Sequence, residues 1–201
     1  MCGIFGVINY LDEHRFKNAL SLLNHRGPDD FGFYVDEKNK VALGHTRLSI
    51  IDTSKNGKQP MLSESERFII SYNGEIYNYK SLRSELTELG YIFKSTTDTE
   101  VILNLYVHMG SEMIDRLDGI FSIAIYDKEA KKIFLARDRF GIKPLYFHHS
   151  KESFVFSSET KPISFYLKDR LNLNKSSFLM SLRYLWNPLS SSFIEGIEKI
   201  E

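Results

Sequence analysis

The sequence is poor in the residues that mark several protein classes. Its 201 residues include one cysteine, so no internal disulfide can form. A disulfide-stapled secreted scaffold is excluded, and the expected compartment is reducing, by default the cytoplasm. There is no charge of one prevailing sign: Lys and Arg total 26, Asp and Glu total 26, and the formal net charge is zero. Neither nucleic acid nor an anionic membrane is therefore an expected partner. No apolar run approaches the ~18 residues needed to cross a bilayer. The opening MCGIFGVINYLDEH has neither a basic n-region nor a small-residue cleavage site, so it does not read as a secretory signal. No G-x-x-x-x-G-K-[ST] or G-x-G-x-x-G motif occurs, so no phosphate-cradling loop is expected. The six histidines form no ligand spacing; His148 and His149 are neighbours in a strand-like run and should face opposite ways. No metal is expected. Asn174-Lys175-Ser176 matches a glycosylation acceptor, which a reducing compartment makes irrelevant.

What is present is an ordinary globular composition, 42% hydrophobic and 26% charged, at a length that favours one compact core. Strand-like stretches at 3–9, 31–36, 41–51, 67–72, 119–126, 132–137, 144–148 and 153–157 alternate with helical patterns. The spacing predicts a helix over 13–24, with Phe16, Ala19, Leu20 and Leu23 on one stripe, stopped by His25-Arg26-Gly27-Pro28. Further helices are predicted over 78–89, from Asp98 onward, and over 159–168 and 174–185; the one from Asp98 is apolar nearly all round and should be buried. Residues 52–66 read as a loop. The short connections between strands favour antiparallel hairpins, and the near-continuous run GIFSIAIY needs cover on both faces. The expectation is a layered α+β domain, not a doubly wound parallel sheet.

A few residues could carry chemistry. Cys2 would ordinarily be a small buried hydrophobe. Removal of Met1 would instead leave a thiol, ordinarily near pKa 8.5, beside a free α-amine near ~7.7–8.0, close enough for the amine to take the thiol proton. Asn73-Gly74 is the strongest short hairpin signal, and equally a pair of oxyanion donors, the Asn73 amide and the Gly74 N–H, with glycine allowing a substrate close to the backbone. The following Glu75-Ile76-Tyr77-Asn78-Tyr79 leads into a helix, not a return strand. Arg47 could make a surface salt bridge, and Thr97 with Glu100 could be a capping box. Alternatively, the Arg47 fork and Asp98 could hold the α-carboxylate and α-ammonium of a zwitterion.

In order along the chain, MCGIFG, HRGPDD, GHTRLSIID, YNGEIYN, TDTEVIL, LDGIFSIAIYD and ARDRFGIKPLYF closely resemble the N-terminal glutaminase domain of glutamine-hydrolysing asparagine synthetase, a class II glutamine amidotransferase. The resemblance is strong from residue 2 to about 165 and looser to 201. It implies an N-terminal nucleophile hydrolase fold, a four-layer αββα sandwich with two stacked antiparallel sheets between helical layers. It implies Cys2 as nucleophile and Asn73 and Gly74 as oxyanion hole. Arg47 would hold the glutamine carboxylate, with the backbone of Leu48, Ser49, Ile50 and Ile51 lining the pocket and Glu75 and Asp98 at the ammonium end.

The resemblance further implies L-glutamine as ligand and a synthetase domain or subunit as recipient of ammonia, amidating aspartate. ATP and Mg are implied only for that synthetase domain, whose SGGxDS loop does not occur here; no cofactor is expected in this chain. The whole of 1–201 is expected to be one amidotransferase domain, its last thirty residues or so leading toward the synthetase, and FIEGIEKIE reads as a cut end. A homodimer is left open. Two alternatives stand beside this reading: a glutaminase serving a polysaccharide or secondary-metabolite acceptor, and a non-catalytic glutamine-binding or interaction module.

Overall fold

A computed structural model describes residues 1–9, 11–49, 52, 54–168 and 172–201, with backbone alone at Lys55. The chain runs β1 (Gly3–Ile8), α1 (Glu13–Ser21), β2 (Asp30–Asp36), β3 (Val41–Arg47), β4 (Met61–Leu62), β5 (Phe68–Ile76), α2 (Tyr79–Glu88), α3 (Asp98–Met109), β6 (Gly119–Asp127), β7 (Lys132–Arg137), β8 (Tyr146–His149), β9 (Phe154–Ser157), α4 (Thr160–Leu167), α5 (Lys175–Tyr184) and β10 (Glu198–Lys199). Short 3₁₀ turns lie at Lys55–Gly57 and Gly110–Arg116.

Among the described residues the strands form two antiparallel sheets, one ordered β10-β8-β9-β1-β3-β2 and one ordered β4-β5-β6-β7. Three apolar clusters show how they stack. Phe5 and Val7 of β1 face α1 and α4, meeting Phe16, Leu20, Ile163 and Tyr166. Ile4 of the same strand faces the other way and meets Ile69, Ala124 and Tyr126 of the second sheet. Phe121, Ile123 and Ile125 of β6 face α2 and α3. Both central strands are therefore covered on two sides, which is why they read as continuous apolar runs. The order helix, sheet, sheet, helix is the layered α+β sandwich expected from the sequence.

Local signals act largely as anticipated. Asp12 caps α1, its carboxylate accepting from the Arg15 amide at 3.0 Å, and Phe16, Ala19, Leu20 and Leu23 are all fully buried. Thr97 caps α3, with Oγ1 accepting from Glu100 N at 3.3 Å. The Glu100 carboxylate does not close a standard box on the cap residue; it accepts from the amides of Lys94 and Ser95 at 2.8 and 2.7 Å, pinning the segment before the helix.

Three expectations change. β3 ends at Arg47, not at 51, and Ile50 and Ile51 lie outside the described residues. The 52–66 loop contains β4, which pairs Met61 with Ile70 and Leu62 with Ile69. Asn73-Gly74 is not a turn: it lies within β5, paired with Ser122 and Phe121, because β6 matches β5 from Phe68–Asp127 to Ile76–Gly119. Unbroken pairing over nine residues overrides the local turn preference of the dipeptide.

Two side-chain hydrogen bonds join the sheets beside that dipeptide. Ser71 Oγ donates to Gly44 O at 3.0 Å. His45 Nε2 lies 3.0 Å from Tyr72 O, which accepts the Nε2 proton and fixes the neutral tautomer. His45 is fully buried, and among the described residues its Nδ1 has no hydrogen-bond partner. Desolvation pulls its pKa from 6.5 to about 4, partly opposed by the Tyr72 carbonyl. An unfolded chain takes up this proton below pH 6.5, whereas the folded chain refuses it until about 4. Stability from His45 is thus fully present above 6.5 and is lost as pH falls toward 4. At about 1.4 kcal/mol per tenfold change in proton affinity, the loss is about 3 kcal/mol. Denaturant titrations at pH 7 and pH 4 should show a loss smaller by that order in His45→Gln than in the parent; equal losses would remove His45 from the acid response.

Candidate active site

The site lies where one end of the layer between the sheets opens. Cys2 immediately precedes β1, whose Gly3 pairs with Thr46 at the end of β3, so Cys2 and Arg47 leave the first sheet side by side. Asn73 and Gly74 approach from the second sheet and Asp98 from the first turn of α3. A cavity of about 340 Å³ is lined by Cys2, Arg47, Leu48, Asn73, Gly74, Glu75 and Asp98 together, a size that suits a small polar ligand. Ser49 does not line it; its amide donates instead to Asp29 Oδ2 at 2.8 Å.

The Cys2 sulfur sits in a backbone bracket, accepting from Leu48 N at 3.4 Å and donating to Leu48 O at 3.7 Å. Burial pushes the thiol pKa above its ordinary value; the Leu48 amide, the N-terminal charge and Arg47 pull the other way but do not prevail. Arg26 holds the backbone here, donating from Nε to Cys2 O at 3.0 Å and from Nη1 to Glu159 at 3.0 Å. Met1 is 55% exposed and also lines the cavity, so it is accessible to a processing enzyme.

The same cavity holds two candidate donors, the Asn73 side-chain amide and the Gly74 N–H. Asn73 is 2% exposed, yet among the described residues its Nδ2 has no hydrogen-bond partner. A buried orphan amide is costly and calls for a ligand or a function. Antiparallel pairing alternates the direction of backbone groups along β5. Tyr72 N donates to Gln59 Oε1 at 2.6 Å and Ile76 N to Asp98 Oδ2 at 3.1 Å, so the Gly74 amide between them points to the same open edge, beyond the end of β4. The glycine has a packing reason of its own. A Cβ at 74 would overlap the Ile120 carbonyl and lie 2.7 Å from Phe121 Cα, so glycine admits the neighbouring strand.

The charged groups are held by separate devices. Arg47 is 7% exposed and makes no surface salt bridge among the described residues; its guanidinium donates to the carbonyls of Ser54, at 3.0 Å, and Asp52. Gly57 leaves room for that guanidinium, which a Cβ there would overlap. Asp52 anchors this loop to the segment before α3, accepting from Thr96 N at 3.1 Å and from Ser54 N at 2.8 Å, and its carboxyl is pulled to about 2 by the Ser54 hydroxyl first and then by those amides. Asp98 is 4% exposed and accepts from Tyr72 OH at 2.7 Å. Burial raises its pKa, which the Tyr72 hydroxyl and Ile76 amide partly offset. Glu75 is exposed at the rim.

Sequence reading missed Gln59 and Tyr72, which line the cavity and position Asp98 and the strand edge. Both sit in runs that read as loop and core strand, so only the pairing of β4 and β5 could have placed them. It also missed Lys143, which the turn after β7 brings to the cavity wall.

Residues 1–201 match the Glutamine amidotransferase domain, and the chain belongs to that family. It is 43% identical over 170 residues to asparagine synthetase (glutamine-hydrolyzing) 2 of Bacillus subtilis (strain 168), covering 81% of this chain and 22% of that protein. It is 38% identical over 208 residues to asparagine synthetase (glutamine-hydrolyzing) 1 of the same organism, covering 100% of this chain and 32% of that protein. The chain thus spans only a fifth to a third of the length of these relatives. In structure it resembles glutamine phosphoribosylpyrophosphate amidotransferase from B. subtilis, with a TM-score of 0.70 and 22% identity over 82% of this chain and 43% of that one. The shared αββα architecture is the N-terminal nucleophile hydrolase fold implied by the sequence resemblance.

Because Cys2 is the sole thiol, alkylation reports on it directly. With Met1 retained, the iodoacetamide rate should be slow at pH 7 and still rising at pH 9, because only the thiolate reacts. Freeing the Cys2 amine should move the profile toward neutrality. A plateau below pH 8 in the Met1-retained form would contradict the raised thiol pKa.

Proposed function

We propose that this chain is a glutaminase that hydrolyses L-glutamine to L-glutamate and ammonia, with Cys2 as nucleophile after Met1 is removed. The observation that carries this reading is the buried Asn73 amide, without a hydrogen-bond partner among the described residues, on a residue that lines the same cavity as Cys2. The freed α-amine takes the thiol proton, and sulfur attacks the Cδ carbonyl of glutamine. Asn73 Nδ2 and Gly74 N–H donate to the oxyanion. The α-ammonium returns its proton to the departing nitrogen, ammonia leaves, and water then hydrolyses the γ-glutamyl thioester to regenerate the thiol.

Arg47 and Asp98 supply selectivity. Free glutamine presents an α-carboxylate and an α-ammonium, whereas a glutaminyl side chain within a protein presents neither. Arg47 offers its charge and remaining N–H groups to the carboxylate, and Asp98, aided by Glu75 at the rim, receives the ammonium. The amidotransferase family and the asparagine synthetase relatives support a further step: ammonia passes to a synthetase domain or subunit that uses ATP and Mg to amidate aspartate. The lone thiol is best suited to a reducing, cytoplasmic compartment.

Cys2→Ala should reduce glutamate release by many orders of magnitude, as losses of other nucleophiles do, while leaving circular dichroism unchanged; retained turnover removes Cys2 from the chemistry. Asn73→Ala should lower kcat by ~10²–10³. An uncleaved N-terminal extension should be as damaging as the cysteine loss, and an active extended protein would refute the role of the amine. Arg47→Lys should raise KM far more than it lowers kcat, because lysine lacks the planar fork. If the parent protein releases no glutamate from glutamine but still binds it, the non-catalytic reading takes over. Incubating the protein and its synthetase partner with aspartate, ATP and amide-labelled glutamine should place the label in asparagine; label in another amide would assign a different acceptor.

A further inference from the structure

Arg137, at the end of β7, makes no salt bridge among the described residues, yet its guanidinium serves three carbonyls. Nε donates to Lys143 O at 3.0 Å, Nη1 to Ile200 O at 3.0 Å, and Nη2 to Gly141 O. The same turn is held from its other side by Asp138, which is 5% exposed. Its carboxylate accepts from the amides of Phe140, Ile142 and Lys143 at 3.2, 2.9 and 2.9 Å, and from Phe121 N of β6 at 3.2 Å. Three amides of this turn, at 140, 142 and 143, thus lie on a carboxylate, and two of its carbonyls, at 141 and 143, on a guanidinium. Gly141 lies at φ +62° with the guanidinium where its Cβ would be, so the turn is wrapped round the arginine.

This turn delivers Lys143 to the cavity wall, where its ammonium has no ion pair among the described residues. The third carbonyl belongs to a distant part of the chain. Ile200 follows β10, which pairs with β8, and its own amide donates to Leu145 O at 2.9 Å. One guanidinium therefore spans the cavity wall and the 198–200 segment.

We infer that Arg137 is a positioning residue of the cavity: it sets the 138–143 turn, and with it Lys143, and makes that setting depend on where residues 198–200 lie. The inference rests on the reading of the cavity as a glutamine site. Lys143 acts as a second cation at the wall that meets the carboxylate-bearing ligand, and Arg137 acts only through it. A lysine at 137 cannot serve three divergent carbonyls, so it should loosen both segments together.

Three variants and two readouts test this. In Arg137→Lys, KM for glutamine should rise roughly tenfold with a smaller change in kcat, the scale of one lost charge-assisted contact. Lys143→Met should raise KM comparably, and the double variant should be no worse than Lys143→Met alone, because both act on one contact. Ile200→Pro, which removes the amide bonded to Leu145, should raise KM in the same direction. Additive effects, or a fall in thermal stability with KM unchanged, would reduce Arg137 to a structural strut and overturn the inference. Amide hydrogen exchange supplies a readout independent of turnover. In Arg137→Lys, residues 140–143 and 198–200 should exchange faster together; if only one segment does, the coupling is refuted. A parent protein without glutaminase activity would sink the glutamine reading alone, leaving exchange to judge the coupling.

Discussion

The stacking of β3 against β5 is the constraint on which the site depends. His45 and Ser71 reach across the layer to main-chain carbonyls at 3.0 Å each, one from each sheet. These cross-links fix the relative height of the two sheets within two residues of Arg47 and of Asn73. Cys2 and Arg47 belong to one sheet, while Asn73, Gly74 and, through Tyr72 and Ile76, Asp98 belong to the other. A slide of one sheet over the other would part the sulfur from the amide opposite it without unfolding either. Polar cross-links in an otherwise apolar layer set that register in a way non-directional packing of Ile4, Ile69 and Tyr126 cannot.

The polar motifs around the cavity divide their labour accordingly. In HRGPDD, Arg26 holds the Cys2 carbonyl and Asp29 holds the chain on either side of Leu48, accepting from Ser49 N while its own amide donates to Arg47 O. In ARDRFGIKP, Arg137 and Asp138 shape the turn that carries Lys143. Each of these four charged residues holds backbone groups. Their charges satisfy main-chain groups in segments with no sheet or helix to do so.

Much of this was legible in the sequence, and what was not has a physical reason. Periodicity located α1 and its stripe because Phe16, Ala19, Leu20 and Leu23 obey one period and nothing competes. The strands β6 to β9 were visible as apolar runs between turns. The end of β3 was not, because LSII is as strand-like as the residues before it, whereas the ladders of β3 with β1 and β2 end at Thr46 and Arg47. Asn73-Gly74 carries a strong turn preference that long-range pairing with β6 overrules. Candidate residues from four separated stretches could be named one by one, but their convergence on one cavity depends on how the sheets stack. Gln59 and Lys143 carried no signal of their own, since Gln59 is placed by the amide of Tyr72 on the strand beside it and Lys143 by a turn folded round Arg137 and Asp138.

The close approach of β6 to Gly74 has an experimental corollary. Any side chain introduced at 74 drives into the Ile120 carbonyl and the Phe121 backbone before it can alter the amide itself. Mutagenesis at this codon therefore measures sheet distortion. The amide must be interrogated by backbone chemistry, such as replacing the peptide N–H with an ester oxygen by semisynthesis, which deletes one donor and leaves every atom facing β6 in place.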